Sequence, residues 1–300
     1  MGIFKTLLTS IRAGDIKALA RAISLVENRV GGYVDFLQTL PSPATPVIGI
    51  TGPPGAGKST LVDALIGHWA AQGKSIGVIC VDPSSPFNLG ALLGDRIRMS
   101  EWYTNPRVFI RSLASRGSLG GLHPSIIEIT DIMKCAGFDY VLVETVGVGQ
   151  SEVEIAGLAD TTVVVVVPEA GDEVQTMKAG LMEIADIFVV NKADRPDADS
   201  FARNLRLMMA PAFQLKQHEI AIVKTEGHHK KGIGELAAAI ETHLAAYLQN
   251  ERRAWLLAER AWHLIMQKRM KDIAKEGLRK AITEVGTGNL NLYRFIEEYC

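Results

Sequence analysis

One nine-residue stretch, GPPGAGKST from Gly52 to Thr60, limits what this chain can become more than any other part of it. Gly52, Gly57, Lys58 and Ser59 satisfy G-x-x-x-x-G-K-[ST]. The apolar run PVIGIT precedes the stretch, and LVDALIGHWAAQG, which reads as a helix, follows it. Glycines let the backbone wrap an anion without Cβ clashes, and amides at a helix N-terminus then point at phosphate oxygens. A plain Gly/Pro turn would account for the composition of the loop but not for its flanks. The spacing predicts a nucleoside-triphosphate site built from Gly52, Pro53, Pro54, Gly55, Ala56, Gly57, Lys58, Ser59 and Thr60. Lys58 would reach the β/γ oxygens as a catalytic cation, and the Ser59 hydroxyl would coordinate Mg²⁺.

Such a loop needs a parallel sheet, and the chain supplies one. From Val47 onward, β-branched runs alternate with helical stretches: VIGIT, SIGVICVD, RVFIRSL, YVLVETV, TTVVVVVP, DIFVVNKAD and IAIVKTE. Strands this continuously apolar are buried on both faces, which predicts an α/β, doubly wound, mostly parallel sheet. Residues 1–42 read as an N-terminal helical segment, with AGD separating two helices and the proline-rich PSPATP ending it. Residues 43–245 form the nucleotide-binding domain. Residues 246–300 continue a helical stretch too long for one globular helix, so a break or a long arm is expected there, an arm suited to dimerisation.

The base is read by NKAD, Asn191 to Asp194. Guanine presents N1–H and an exocyclic amine side by side, and an ionised carboxylate can accept both. Adenine offers neither donor on that edge, so ATP would leave Asp194 unpaired. Asn191 would support this contact, and the Lys192 stem would lie along the ring. KTEG brings Thr225, Glu226 and Gly227 to where a last loop closes over the base, a weaker signal. At the γ-phosphate end, VETVG supplies Glu144 and Gly147. Val148 occupies the position of the usual water-orienting glutamine, and Gln150 stands two residues further on, so slow intrinsic hydrolysis is expected. Asp82 and Asp95 each admit two readings, Mg²⁺ ligand or strand-end and helix cap.

Composition narrows the setting. Apolar residues make up 47% and charged residues 22%, enough for a large core and too apolar for wholesale disorder. With 32 basic and 33 acidic residues the formal charge is −1, which gives no electrostatic case for nucleic acid. Cys80, Cys135 and Cys300 are too few and scattered for a disulfide framework or zinc site, so a reducing, cytoplasmic setting is expected. No run is long enough to span a bilayer. MGIFKT matches a myristoylation pattern, but the same stretch reads as ordinary amphipathic helix.

Taken together, LARAISLVENR, GITGPPGAGKSTL, VDPSSPF, LLGDRIRM, DYVLVETVGVGQSE and PEAGDEVQTMKAGLMEIADIFVVNKAD resemble the MeaB/ArgK family. These are SIMIBI-class GTPases that accompany cobalamin-dependent acyl-CoA mutases such as methylmalonyl-CoA mutase. The resemblance implies GTP/GDP as nucleotide and Mg²⁺ held through Ser59, Asp82, Asp95 and Glu144. It implies switch segments around residues 82–99 and 144–154. It also implies a third switch in which Asp172, Glu173, Gln175 and Lys178 carry the signal to the mutase, with Gln175 and Lys178 placed for activated hydrolysis. The implied role is a chaperone that gates adenosylcobalamin loading and protects the mutase, working as a homodimer through a C-terminal helical arm. Arg96 and Ile97 depart from the family's Lys-Thr, FNLGALLGD lacks its doubled glycine, and GNLNLYRFIEEYC is not a recognisable family tail.

Other classes compete. A nickel-delivery maturation GTPase of the same fold is suggested only by His228 and His229. A small-molecule kinase or transport ATPase conflicts with Asp194. A non-hydrolysing scaffold conflicts with the complete phosphate and Mg²⁺ set.

Overall fold

The structure, a computed structural model, describes residues 2–42, 44–82, 99–115, 122–147, 154–168, 179–215, 220–247, 252–270, 272–286 and 290–299. Two compact units emerge, Met1–Arg253 and Ala254–Cys300.

The first unit opens with α1 (Gly2–Arg12), α2 (Ile16–Glu27) and α3 (Tyr33–Gln38). The AGD break ends in Asp15, whose carboxylate accepts the Lys17 and Ala18 amides at 2.8 and 3.1 Å and so caps α2. Then follow β1 (Val47–Thr51), α4 (Lys58–Ala71), β2 (Ile76–Asp82), β3 (Val108–Ala114) and α5 (Ile126–Lys134). The unit continues through β4 (Tyr140–Glu144), β5 (Thr161–Val166), α6 (Ala179–Ile184), β6 (Ile187–Val190), α7 (Ala198–Leu215), β7 (Ala221–Lys224) and α8 (Ile233–Tyr247). All seven strands expected from the sequence form one sheet in the order β3-β2-β4-β1-β5-β6-β7, and every pairing is parallel.

Side chains alternate along each strand, and this sorts the core into layers. Ile79 and Val81 of β2 join Val141 and Val143 of β4 beneath α1, α2 and α5. Ile76, Val78 and Cys80 face the other way, with Ile48 and Ile50, onto Leu61, Leu65 and Trp69 of α4 and Leu236 and Ile240 of α8. A third cluster sets Val164, Val166, Phe188 and Val190 against α6 and α7. Burial on both faces is what made these runs so uniformly apolar. Among the described residues no helix is long and apolar enough to cross a membrane.

Gly49, in the middle of β1, is a packing requirement. A Cβ there would lie 2.5 Å from Ile155 Cγ1 and 3.0 Å from Ala159 Cβ. Ile155 belongs to the 3-10 turn Ile155–Gly157, which sits directly on β1. Gly49→Ala is therefore expected to destabilise the protein by about 1–3 kcal/mol through overpacking, read as a lower urea midpoint with an unchanged slope.

The second unit is helical: α9 (Arg252–Arg269) from Ala254 onward, α10 (Lys275–Val285) and α11 (Leu292–Ile296). In this C-terminal stretch the described helices are α8 up to Tyr247 and α9 from Arg252. Trp255, Trp262, Ile265 and Met266 of α9 are exposed.

Candidate functional site

In a parallel sheet every strand delivers its C-terminal end to the same edge. At that edge β1 lies between β4 and β5, neither of them its neighbour in sequence, and the crevice outside such a switch point is where α/β sheets take ligands. Gly52 leaves β1 with φ 138°, and a side chain there would strike the Val165 carbonyl of β5. Gly55 and Gly57 also take positive φ, 76° and 87°, so the loop turns back on itself before α4 begins at Lys58. The first free amides of α4 consequently face the crevice.

Lys58 is buried, and its Nζ donates to the Gly52 and Pro53 carbonyls at 2.9 and 3.1 Å. Gly147, with φ 83°, closes against it, since a Cβ at this position would meet Lys58 Nζ and the Gly52 oxygen. The Ser59 hydroxyl donates to Glu144 Oε1 at 2.7 Å, with both residues under 10% exposed. Asp82, 4% exposed, ends the adjacent strand β2, whose Cys80 is in register with Glu144. A hydroxyl and two carboxylates at neighbouring strand ends are hard oxygen donors, the set expected for Mg²⁺ bound together with phosphate oxygens and waters. Among the described residues no group of three His, Cys, Asp or Glu side chains could cage a metal by itself.

Just past β6, Asn191 is a knot between loops. It is 2% exposed; its Nδ2 donates to the Ala56 carbonyl at 2.8 Å, and its Oδ1 accepts from Thr225 Oγ1 at 3.0 Å and the Gly227 amide at 3.2 Å. Gly57 makes the first bond possible, because a Cβ there would collide with Asn191 Nδ2. Lys192 takes φ 55°, and the Ala193 amide then donates to the Thr225 carbonyl at 3.0 Å. Asp194 stands exposed at the rim. Beyond Thr225, Glu226 holds Lys231 at 3.1 Å and His229 at 3.0 Å. The Lys231 hydrogen bond is the main reason the Glu226 carboxyl sits below its ordinary pKa, and His229 adds to it. His229 is thereby engaged with Glu226 in the loop after β7.

The nucleotide-loop residues, Gly147, Asn191–Asp194 and Thr225–Gly227 are thus all at one edge, with Ser59 bonded to Glu144 there and Asp82 at the end of the neighbouring strand β2. Asp95, Val148, Gln150, Asp172, Glu173, Gln175 and Lys178 lie outside the described residues. Two contacts had gone unremarked in the sequence, one along α4 and one at this edge. Trp102, in the 3-10 turn Ser100–Thr104, donates to Asp63 of α4 at 2.7 Å beside the gap left by Gly67. Thr51 and Thr145 bond hydroxyl to hydroxyl at 3.0 Å. A hydroxyl at the end of an otherwise apolar strand was the available signal for the threonines.

The family model described as methylmalonyl Co-A mutase-associated GTPase MeaB matches residues 19–281. The chain belongs to the MeaB family. A Pyrococcus horikoshii relative named as a GTPase is 50% identical over 244 residues, 79% of this chain and 76% of its own. The mouse methylmalonic aciduria type A homolog, mitochondrial, is 32% identical over 291 residues, 87% of this chain and 69% of its own. Among solved structures, that of an LAO/AO transport system kinase has a TM-score of 0.67 at 26% identity, covering all of this chain and 97% of its own. This MeaB-family chain is therefore a P-loop GTPase that binds guanine nucleotide. The match stops at residue 281, short of GNLNLYRFIEEYC.

Proposed function

We propose that this MeaB-family GTPase is a nucleotide-driven chaperone for a cobalamin-dependent acyl-CoA mutase, gating adenosylcobalamin loading and protecting the mutase. The observation that carries this reading is family membership across most of the chain, in a family named for association with methylmalonyl-CoA mutase. The mouse relative, named for methylmalonic aciduria, supports it from a second direction.

In this reading Lys58 leaves its own loop carbonyls for the β/γ-phosphate oxygens. The α4 amides hold the β-phosphate, and Asp194 selects guanine while Asn191 fixes the loop backbones around it. Mg²⁺ would be held by Ser59, Glu144 and Asp82, with Asp95 completing the set; when bound it neutralises charge developing on the phosphates. Gly147 lies where a γ-phosphate is felt by the backbone, so GTP and GDP favour different arrangements of the segments on either side. A partner that binds one arrangement better shifts the balance by its difference in affinity. Val148 offers no group to orient water, so Gln175 and Lys178 of the third switch would complete hydrolysis on the partner, and Asp172, Glu173, Gln175 and Lys178 together would carry the signal to it. The nucleotide domain spans 43–245 between the N-terminal segment 1–42 and a C-terminal arm 246–300 that forms a cytoplasmic homodimer.

The test is GTP turnover by the purified protein, alone and with the cobalamin-dependent mutase of the same cell, with ATP as control. GTP-selective turnover that is slow alone and rises at least tenfold with the mutase is expected. A rate indifferent to the mutase would overturn the partner assignment and leave the GTPase.

A further inference from the structure

The two hydroxyls that meet at the head of the phosphate loop do more than fill space. Thr51 is the last residue of β1 and Thr145 the first after β4. The ladder pairs Ile50 with Glu144, and the Thr145 amide donates to the Ile50 carbonyl at 3.0 Å. The Thr51–Thr145 hydrogen bond, at 3.0 Å, therefore continues the pairing one step past the last ladder pair, Ile50–Glu144. Both residues are sealed from solvent, at 0% and 1% exposure. Beyond them come Gly52 and, past Val146, Gly147, which meet against Lys58.

Valine would pack as well as threonine at such positions, and a buried hydroxyl costs free energy unless it is bonded. The bond therefore has to be explained by its location. One side of it leads within a single residue to Gly52, which starts the loop carrying Ser59; the other is covalently next to Glu144. Ser59 and Glu144 are the pair that meets at 2.7 Å.

We propose that Thr51 and Thr145 are positioning residues for the divalent cation: their hydroxyl clasp fixes the separation between the Glu144 carboxylate and the phosphate loop. The proposal rests on the Mg²⁺ reading given above. Neither residue touches the cation; each acts through its neighbour. Small losses of registry matter here because Mg²⁺ and its substitutes demand near-ideal octahedral geometry at short distances.

Two double variants separate positioning from stability. Replacing both members of a buried hydrogen-bonded pair by apolar groups of the same shape is close to neutral for folding. Thr51→Val with Thr145→Val should therefore keep the melting temperature of the parent. Thr51→Ser with Thr145→Ser keeps both hydroxyls but loses two buried methyls, so it should melt lower. Mn²⁺, which shares the octahedral oxygen preference, serves as probe: its uptake by the GDP complex is followed by the loss of the free-ion electron paramagnetic resonance signal. The expected pattern is crossed. The valine pair binds Mn²⁺ about five- to tenfold more weakly at unchanged stability, while the serine pair binds it like the parent at reduced stability. Equal Mn²⁺ affinity in the parent and a stable valine pair would overturn the clasp, as would affinities that simply follow melting temperature. A parent GDP complex that takes up no Mn²⁺ would instead sink the Mg²⁺ reading on which the clasp depends.

Discussion

Asp194→Asn is expected to exchange the base preference of this protein, weakening GTP by about 10²–10³-fold and bringing XTP to comparable affinity. The argument is one of donors and acceptors. A carboxylate offers two acceptors to the two adjacent donors of guanine. Asparagine offers one acceptor and one amide donor, so it leaves one guanine donor facing another donor. Hydrogen bonds to a charged group contribute about 1.5–3 kcal/mol each, and a site that loses its match discriminates by the unpaired groups it leaves behind. Xanthine carries an N1–H donor beside a carbonyl acceptor, the complement of an asparagine amide. Asp194 is exposed at the rim and makes none of the bonds that join the loops, so the substitution should leave the melting temperature of the unliganded protein unchanged. Competition of unlabelled GTP and XTP against a fluorescent GDP, on parent and variant, reads the exchange directly. An unaltered preference for GTP would mean that the base is recognised elsewhere.

Asn191→Ala should have the opposite character, a large loss of stability as well as of nucleotide. The side chain joins the Ala56 carbonyl, the Thr225 hydroxyl and the Gly227 amide in one buried knot. Each group orphaned out of water costs about 1–3 kcal/mol. Allowing for water entering the space left behind, a total of about 3–5 kcal/mol is expected. For a domain of this size that corresponds to a fall in melting temperature of roughly 10 °C. Asn191→Asp gives the sharper control. It keeps the shape and both Oδ1 contacts but turns an oxygen toward the Ala56 carbonyl, setting acceptor against acceptor. It should therefore weaken GDP binding through the phosphate loop even if most of the base-side loop survives. Differential scanning calorimetry with and without saturating GDP would separate the two effects. A variant Asn191→Ala that melts with the parent would show that the knot contributes nothing.

The contrast between these residues shows what a sequence discloses here. Strands announced themselves, because runs such as VVVVV are tolerable only where both faces are buried. Their ends did not. YVLVETV reads as extended to Val146, yet the ladder stops at Glu144, since the chain must leave the sheet to bring Gly147 over Lys58. Asn191 was legible as part of a base-reading motif, but its partner at the phosphate loop is a backbone carbonyl, and a carbonyl has no signature in the letters. Thr51 and Thr145 are ordinary β-branched strand residues until the sheet order sets β4 beside β1. Spacing likewise left Asp82 with two meanings; its strand is now seen to lie next to that of Glu144.

The central place of β1 also dictates when the site can come into existence. The first strand to be made pairs only with β4 and β5, across sequence separations of 94 residues at Thr51–Thr145 and 113 at Val47–Asp160. During synthesis it emerges with no ladder partner and must wait for both to leave the ribosome. Contacts this distant are closed late, because the chain entropy of the intervening loop has to be overcome first. The nucleotide crevice is thus expected to close late in folding, although its loop precedes both partner strands in the chain. GDP added to a refolding reaction should then leave the early rate alone and act only on the final step, as a ligand that recognises nothing but the finished sheet.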